Sequence, residues 1–187
     1  MSSHGRSKAT VSPCAKCDTL ATSLAFKQNL LEGLYKDALK GRGTDLDVIC
    51  PSRSNDKALA ACNDGDTPPT PTVFHLHHTI VASSSGYFST FPEPKTGRVI
   101  NDVDADSFEI CVRFMYLGEC DGMLSHGNVA SILNASELFQ IDELKHNCME
   151  YLEHNLDNDN YEQVVELAER FNNPQLKMNV SFTIVIF

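Results

Sequence analysis

The sequence predicts an α+β fold in which a small β-sheet is flanked by a cluster of α-helices. Three observations carry that expectation. Short β-prone runs bounded by turn residues recur at Leu46–Cys50, Val73–His77 and Arg98–Ile100. Apolar residues at helical spacing begin at Leu20 and dominate the chain after Asp104. Strands gathered early and helices late point to segregated layers rather than alternating βαβ units.

Taken in order, residues 1–18 are polar and aperiodic and read as a disordered tail. Leu20, Leu24, Leu31, Leu34, Tyr35 and Ala38 then fall at helical spacings, and Gly41-Arg42-Gly43 ends that helix. After the first strand, residues 51–72 carry Ser, Asn, Asp, Gly and four prolines. A structureless stretch longer than about 15 residues is uncommon inside a compact domain, so this one reads as a disordered insertion joining two neighbouring strands. Thr79 to Phe91 holds two short helical turns broken at Ser85-Gly86. Asp104 is placed to cap a helix with the stripe Phe108, Cys111, Val112, Met115 and Tyr116. Asn128 heads a further helix with the stripe Val129, Ile132, Leu133, Ser136 and Phe139. Asp142 starts another, with Leu144, Cys148, Tyr151 and Leu152 on one face. Asn160 with Gln163 three residues on resembles a capping box for a last helix, which Pro174 ends.

Composition narrows the function. With 187 residues, 42% hydrophobic and 21% charged, the chain accommodates one packed domain with tails. A net charge of −10 argues against direct nucleic-acid binding, which needs clustered Lys and Arg. The longest apolar run, Phe182 to Phe187, falls far short of the ~20 residues a membrane helix requires. Seven cysteines form an odd set without framework spacing, which fits a reducing, intracellular location, cytoplasmic or nuclear.

Within the predicted elements, three motifs stand out. Asp45-Leu46-Asp47-Val48 opens the first strand. Residues Phe74 to Phe88 read F-H-L-H-H-T-I-V-A-S-S-S-G-Y-F. Phe108 through Glu119 is followed by the run Asn128 to Leu144. Together and in this order they resemble the BTB/POZ family over roughly Leu20 to Leu156. The most specific match is to the family pattern F-x-x-H-(K/R)-x-V-L-A-x-x-S-x-Y-F, from which this chain departs by carrying His78 at the basic position. The insertion is also far longer than the family's tight connection. The resemblance implies a domain over 19–156. Residues 157–187 then resemble a truncated BACK-like helical extension and tail, without the repeat domain or zinc fingers that normally follow.

That resemblance implies a non-catalytic protein-interaction domain that pairs with itself or other BTB proteins. It implies a substrate-adaptor role with a cullin-3 ubiquitin ligase, or alternatively an oligomerisation module of a transcription regulator without cullin binding. Leu24, Leu31, Leu34 and Tyr35 are the implied dimer interface, although the same stripe can instead pack on the domain's own core. Asp47 and His78 match positions lining a charged pocket beneath the dimer axis. Phe91 and Glu93 fit the hydrophobic-x-Glu motif of the cullin-binding loop.

Candidate chemistry is sparse. His75, His77 and His78 offer imidazoles, but alternation puts only His75 and His77 on one strand face, too few to close a structural zinc site. His77 reads instead as a hydrogen-bonded histidine tying the strand to the next helix. Cys14 and Cys17 have the spacing of half a zinc knuckle, with no second pair to complete it. The 157–160 stretch lacks the glycine and glutamate of a calcium loop, and Ser83 to Ser85 lack a nucleophile-elbow context. No catalytic residues, metal or cofactor are expected. A small metal- or thiol-dependent enzyme is the distant alternative.

Overall fold

The computed structural model describes residues 15–51, 71–90, 97–157 and 160–178, with side chains from Thr22 onward. Helix α1 spans Ala15–Ala38, beginning several residues before the Leu20 that periodicity marks. Gly41 then takes a left-handed φ of 62°, which stops the helix and turns the chain into β1, Leu46–Cys50. Leu46, Val48 and Cys50 are buried and Asp47 is exposed, the period of two expected of a half-covered strand.

Strand β2, Thr72–Leu76, pairs antiparallel with β1, Val48 opposite Phe74 and Asp47 opposite His75. Residues 52–70, which hold most of the expected insertion, lie outside the described residues. The register nevertheless bears out that the segment joins two neighbouring strands. Strand β3, Arg98–Val99, adds to the other side of β1 in parallel, giving the order β2-β1-β3.

Two short helices follow β2, namely α2, His78–Ser84, and α3, Gly86–Ser89. His77 therefore heads a helix rather than ending a strand. Then come α4, Ala105–Leu117, α5, Val129–Phe139, α6, Asp142–His154, and α7, Tyr161–Arg170. Asp104 caps α4 by accepting hydrogen bonds from the Ser107 N–H and hydroxyl, both at 2.9 Å. The expected stripes of α4 and α5 are buried throughout.

Two terminal signals resolve differently. Asn160 does not form a capping box. Its Oδ1 accepts from the Asp157 N–H while Asp157 Oδ1 accepts from the Asn160 N–H, so the two close a reciprocal turn. Pro174 does not simply end α7 but starts a helical turn over 174–178, capped by Asn173 Oδ1.

The core between sheet and helices is aromatic. Phe88 stacks on Phe139 at 5.6 Å, Phe108 packs on Phe139 at 5.3 Å, and Phe74 meets Phe108 edge-on at 4.9 Å. Such pairs add about 0.5–1.5 kcal/mol each beyond the area they bury. Buried Ser85 is fully used, donating to the Phe139 carbonyl at 2.6 Å and accepting from the Phe88 N–H. This fixes the α2–α3 break against α5.

Candidate interaction surface

Helix α1 packs against α4 and touches β2, but only with its C-terminal part. Ala38 is buried, and Leu34 and Tyr35 are partly buried against the core. Every residue from Thr22 to Leu31 is exposed. Leu24 is 66% exposed, Phe26 68% and Leu30 54%. At about 100° per residue, Leu24 and Leu31 continue the line of Tyr35 and Ala38 past the edge of the body beneath. Of the four expected interface residues, Leu34 and Tyr35 thus anchor the helix, Leu24 is left uncovered, and Leu31, 36% exposed, sits at the margin between the two. Phe26 and Leu30 belong to the same exposed surface; their i, i+4 spacing was visible in the sequence, but they fall outside the narrower stripe.

A groove of about 310 Å³ runs along the inner side of this helix, lined by Leu31, Tyr35, Leu39, Arg113, Leu117 and Glu119 among others. Gln28 Nε2 donates to Glu119 Oε1 across it at 3.0 Å. Burial, followed by the nearby Glu109 charge, raises the Tyr35 hydroxyl above its ordinary pKa, partly offset by Arg113. The groove therefore presents a neutral phenol between apolar walls and charges of both signs, Lys36 and Arg113 with Glu32 and Glu119.

The base of α1 is fixed by a hydrogen-bond relay that the sequence only half announces. Tyr116 packs on Tyr35 with ring centroids 5.7 Å apart. Its hydroxyl accepts from the His77 N–H and donates to His77 Nδ1, each at 2.8 Å. His77 Nε2 lies 3.2 Å from the Arg42 carbonyl, which can only accept, so the proton is on Nε2. Burial raises the Tyr116 pKa despite that N–H contact, which keeps the hydroxyl a donor. His77 is hydrogen-bonded and partly buried as expected, but it ties the start of α2 to α4 and to the loop after α1, through Tyr116 and Arg42, rather than the strand to the next helix.

Asp47 and His78, the expected pocket pair, take separate partners. Asp47 Oδ1 lies 2.7 Å from His75 Nδ1, its cross-strand neighbour, and both side chains are about half exposed (51% and 47%). The His78 N–H donates to Asp45 Oδ1 at 2.7 Å, and its Nε2 is buried without a hydrogen-bond partner. Asp45 thus caps α2, whose own N-cap residue supplies no side-chain bond. That role was hidden because cap and helix are 33 residues apart. Phe91 and Glu93 lie outside the described residues, as does Cys14.

The remaining candidates are occupied structurally. Ser83 and Ser84 hydroxyls donate to the Ile80 carbonyl, and Ser84 also to that of Met115. Cys50, Cys111, Cys120 and Cys148 are free and buried. Burial pushes the Cys50 and Cys148 thiols up to about 12 and raises Cys111 as well, so none of these three supplies a thiolate at neutral pH. Among the described residues, no three His, Cys, Asp or Glu side chains group as metal ligands, and no helix is long and apolar enough to cross a membrane.

Residues 70–156 match the family model of the BTB/POZ domain. Human Kelch repeat and BTB domain-containing protein 7 is 26% identical over 128 residues, covering 65% of this chain and 18% of that protein. Kelch-like protein 21 from Danio rerio is 33% identical over 104 residues, covering 52% of this chain and 17% of that protein. The chain therefore spans under a fifth of the length of these relatives. Among solved structures, the BTB domain of zebrafish PATZ1 superposes with a TM-score of 0.51 at 14% identity, covering 79% of this chain and all of that one. That likeness speaks to the fold.

Proposed function

Because residues 70–156 match the BTB/POZ domain model and the relatives that match are Kelch and BTB proteins, we propose that this chain is a BTB/POZ protein-interaction domain, a non-catalytic module that dimerises through α1, with a second copy or another BTB chain. We further propose that the dimer serves as a substrate-adaptor type partner of a cullin-3 ubiquitin ligase. The observation that carries the pairing is the uncovered apolar surface of Leu24, Phe26, Leu30 and Leu31 on a helix whose base is packed on the domain. A helix with a wide apolar face is stable in water only when that face is covered. Pairing duplicates every docking surface and raises effective concentration at the partner.

The cullin assignment rests on the family resemblance of Phe91-Pro92-Glu93. A large apolar anchor beside a carboxylate is the residue pair an exposed docking loop uses. On this reading α7 and the turn after it are the start of a BACK-like extension.

Light-scattering mass on a sizing column, alone and with a cullin-3 N-terminal domain, tests both parts. The expected result is a dimer that shifts to a two-plus-two complex. Replacing Leu24 and Leu31 by Asp is expected to leave a folded monomer, and a persistent dimer would refute the α1 assignment. Replacing Phe91 and Glu93 by Ala is expected to abolish cullin binding while the dimer remains. A wild-type dimer that ignores the cullin would overturn the adaptor half and favour an oligomerisation module.

A further inference from the structure

The exposed stretch of α1, residues 22–31, reads TSLAFKQNLL and carries a single charge, Lys27. By helical spacing the apolar side chains Leu24, Leu31, Leu30 and Phe26 span an arc of roughly 160°, and Lys27 falls in its middle, between Leu31 and Leu30. No hydrogen bond or ion pair engages Lys27 among the described residues. The acids that follow it along α1 are already engaged, Glu32 with Lys36 at 3.1 Å and Asp37 with Arg42. Glu119, across the groove, accepts from Gln28.

Covering this face buries a cation at its centre. An ammonium taken out of water is tolerated when it meets a carboxylate and is costly when it does not. A second copy offers the same stretch, with one lysine and no acid. Self-pairing through this stretch therefore brings two lysines into one interface and supplies no anion from either exposed stretch. The lysine stem can lie along apolar surface and lift its head to the rim, which lowers the penalty without supplying the missing charge.

We infer that Lys27 selects the partner of this surface: the preferred occupant is a different chain whose helix carries Asp or Glu within its apolar stripe, rather than a second copy. This rests on the reading of α1 as the pairing surface. Selection works by difference, since the acid-bearing helix gains an ion pair while the identical helix meets an unneutralised lysine.

The test uses the full chain. Lys27→Leu removes the charge and keeps the apolar stem, and it is expected to tighten self-association at least tenfold by sedimentation equilibrium. An unchanged or weaker association constant would overturn the inference. Immobilised wild-type chain is expected to capture soluble Lys27→Glu chain at least threefold more strongly than soluble wild type; equal capture would overturn the preference for an acid. Adding Leu24→Asp and Leu31→Asp to the Lys27→Leu chain separates the two levels. Lost association keeps α1 as the surface, so that the first two readouts bear on Lys27 alone, whereas retained association means the α1 reading itself has failed.

Discussion

Replacing Tyr116 by Phe removes one oxygen and keeps the ring that packs on Tyr35. That oxygen accepts from the His77 N–H and donates to His77 Nδ1, both at 2.8 Å. The substitution therefore leaves one backbone donor and one ring acceptor without their partner at the start of α2. A net hydrogen bond contributes about 1 kcal/mol and an orphaned, partly buried polar group costs about 1–3 kcal/mol. His77 is half-buried, so water restores part of this, and a loss of about 1–2 kcal/mol is expected. For a chain of this size that lowers the melting temperature by roughly 2–8 °C. Urea unfolding followed by far-ultraviolet circular dichroism measures the loss, and a double-mutant cycle with His77→Ala isolates the pair. The coupling is expected to be at least ~0.5 kcal/mol, as for residues in one network. Strict additivity, or a Tyr116→Phe chain as stable as wild type, would refute the relay.

Two further perturbations follow from the same packing. A Cβ at Gly86 would lie 2.3 Å from Gln140 Oε1 and 3.0 Å from Gln140 Cβ, so Gly86→Ala is expected to cost about 1–3 kcal/mol of stability. Gln140 has a left-handed φ of 54°, so Gln140→Gly should restore part of that loss in the double variant, and no recovery would place the clash elsewhere. The thiols give a pH dependence. Cys50 and Cys148 titrate near 12 in the folded state and near 9 when unfolded, so their stabilisation is complete below pH 9 and declines as pH rises from 9 towards 12. Urea midpoints at pH 7.5, 9 and 10 should fall in that order, with a shallower fall in Cys148→Ala; a slope unchanged by that substitution would count against it.

Much of the fold was legible because burial imposes a period. Leu46, Val48 and Cys50 alternate with Asp47 as a strand must, and the stripes of α4 and α5 are buried where helical spacing puts them. Local capping rules succeeded where the cap serves its own helix, as Asp104 does for α4. They failed where a longer-range or reciprocal bond was available. Asp45 reaches across 33 positions to cap α2, and Asn160 is claimed by Asp157 before Gln163 can engage it. Sequence distance hides the first, and competition between two polar side chains for one turn decides the second.

The proposed pairing surface marks a different boundary. The repeat Leu24, Leu31, Leu34 and Tyr35 is the same whether the helix lies on its own core or on another chain, because periodicity records that a face is buried and not by what. What separates the two halves is the extent of the body underneath, since α4 and β2 support Leu34, Tyr35 and Ala38 while the stretch from Thr22 to Leu31 stays exposed. The same geometry gives Lys27 its meaning. On a surface helix a lone lysine is an ordinary solvated charge, but amid four exposed apolar side chains it tells partners apart. Composition also fits this division of labour, because a chain of net charge −10 that holds a cation at its apolar surface repels its own copies at long range and keeps one position for an anion at short range.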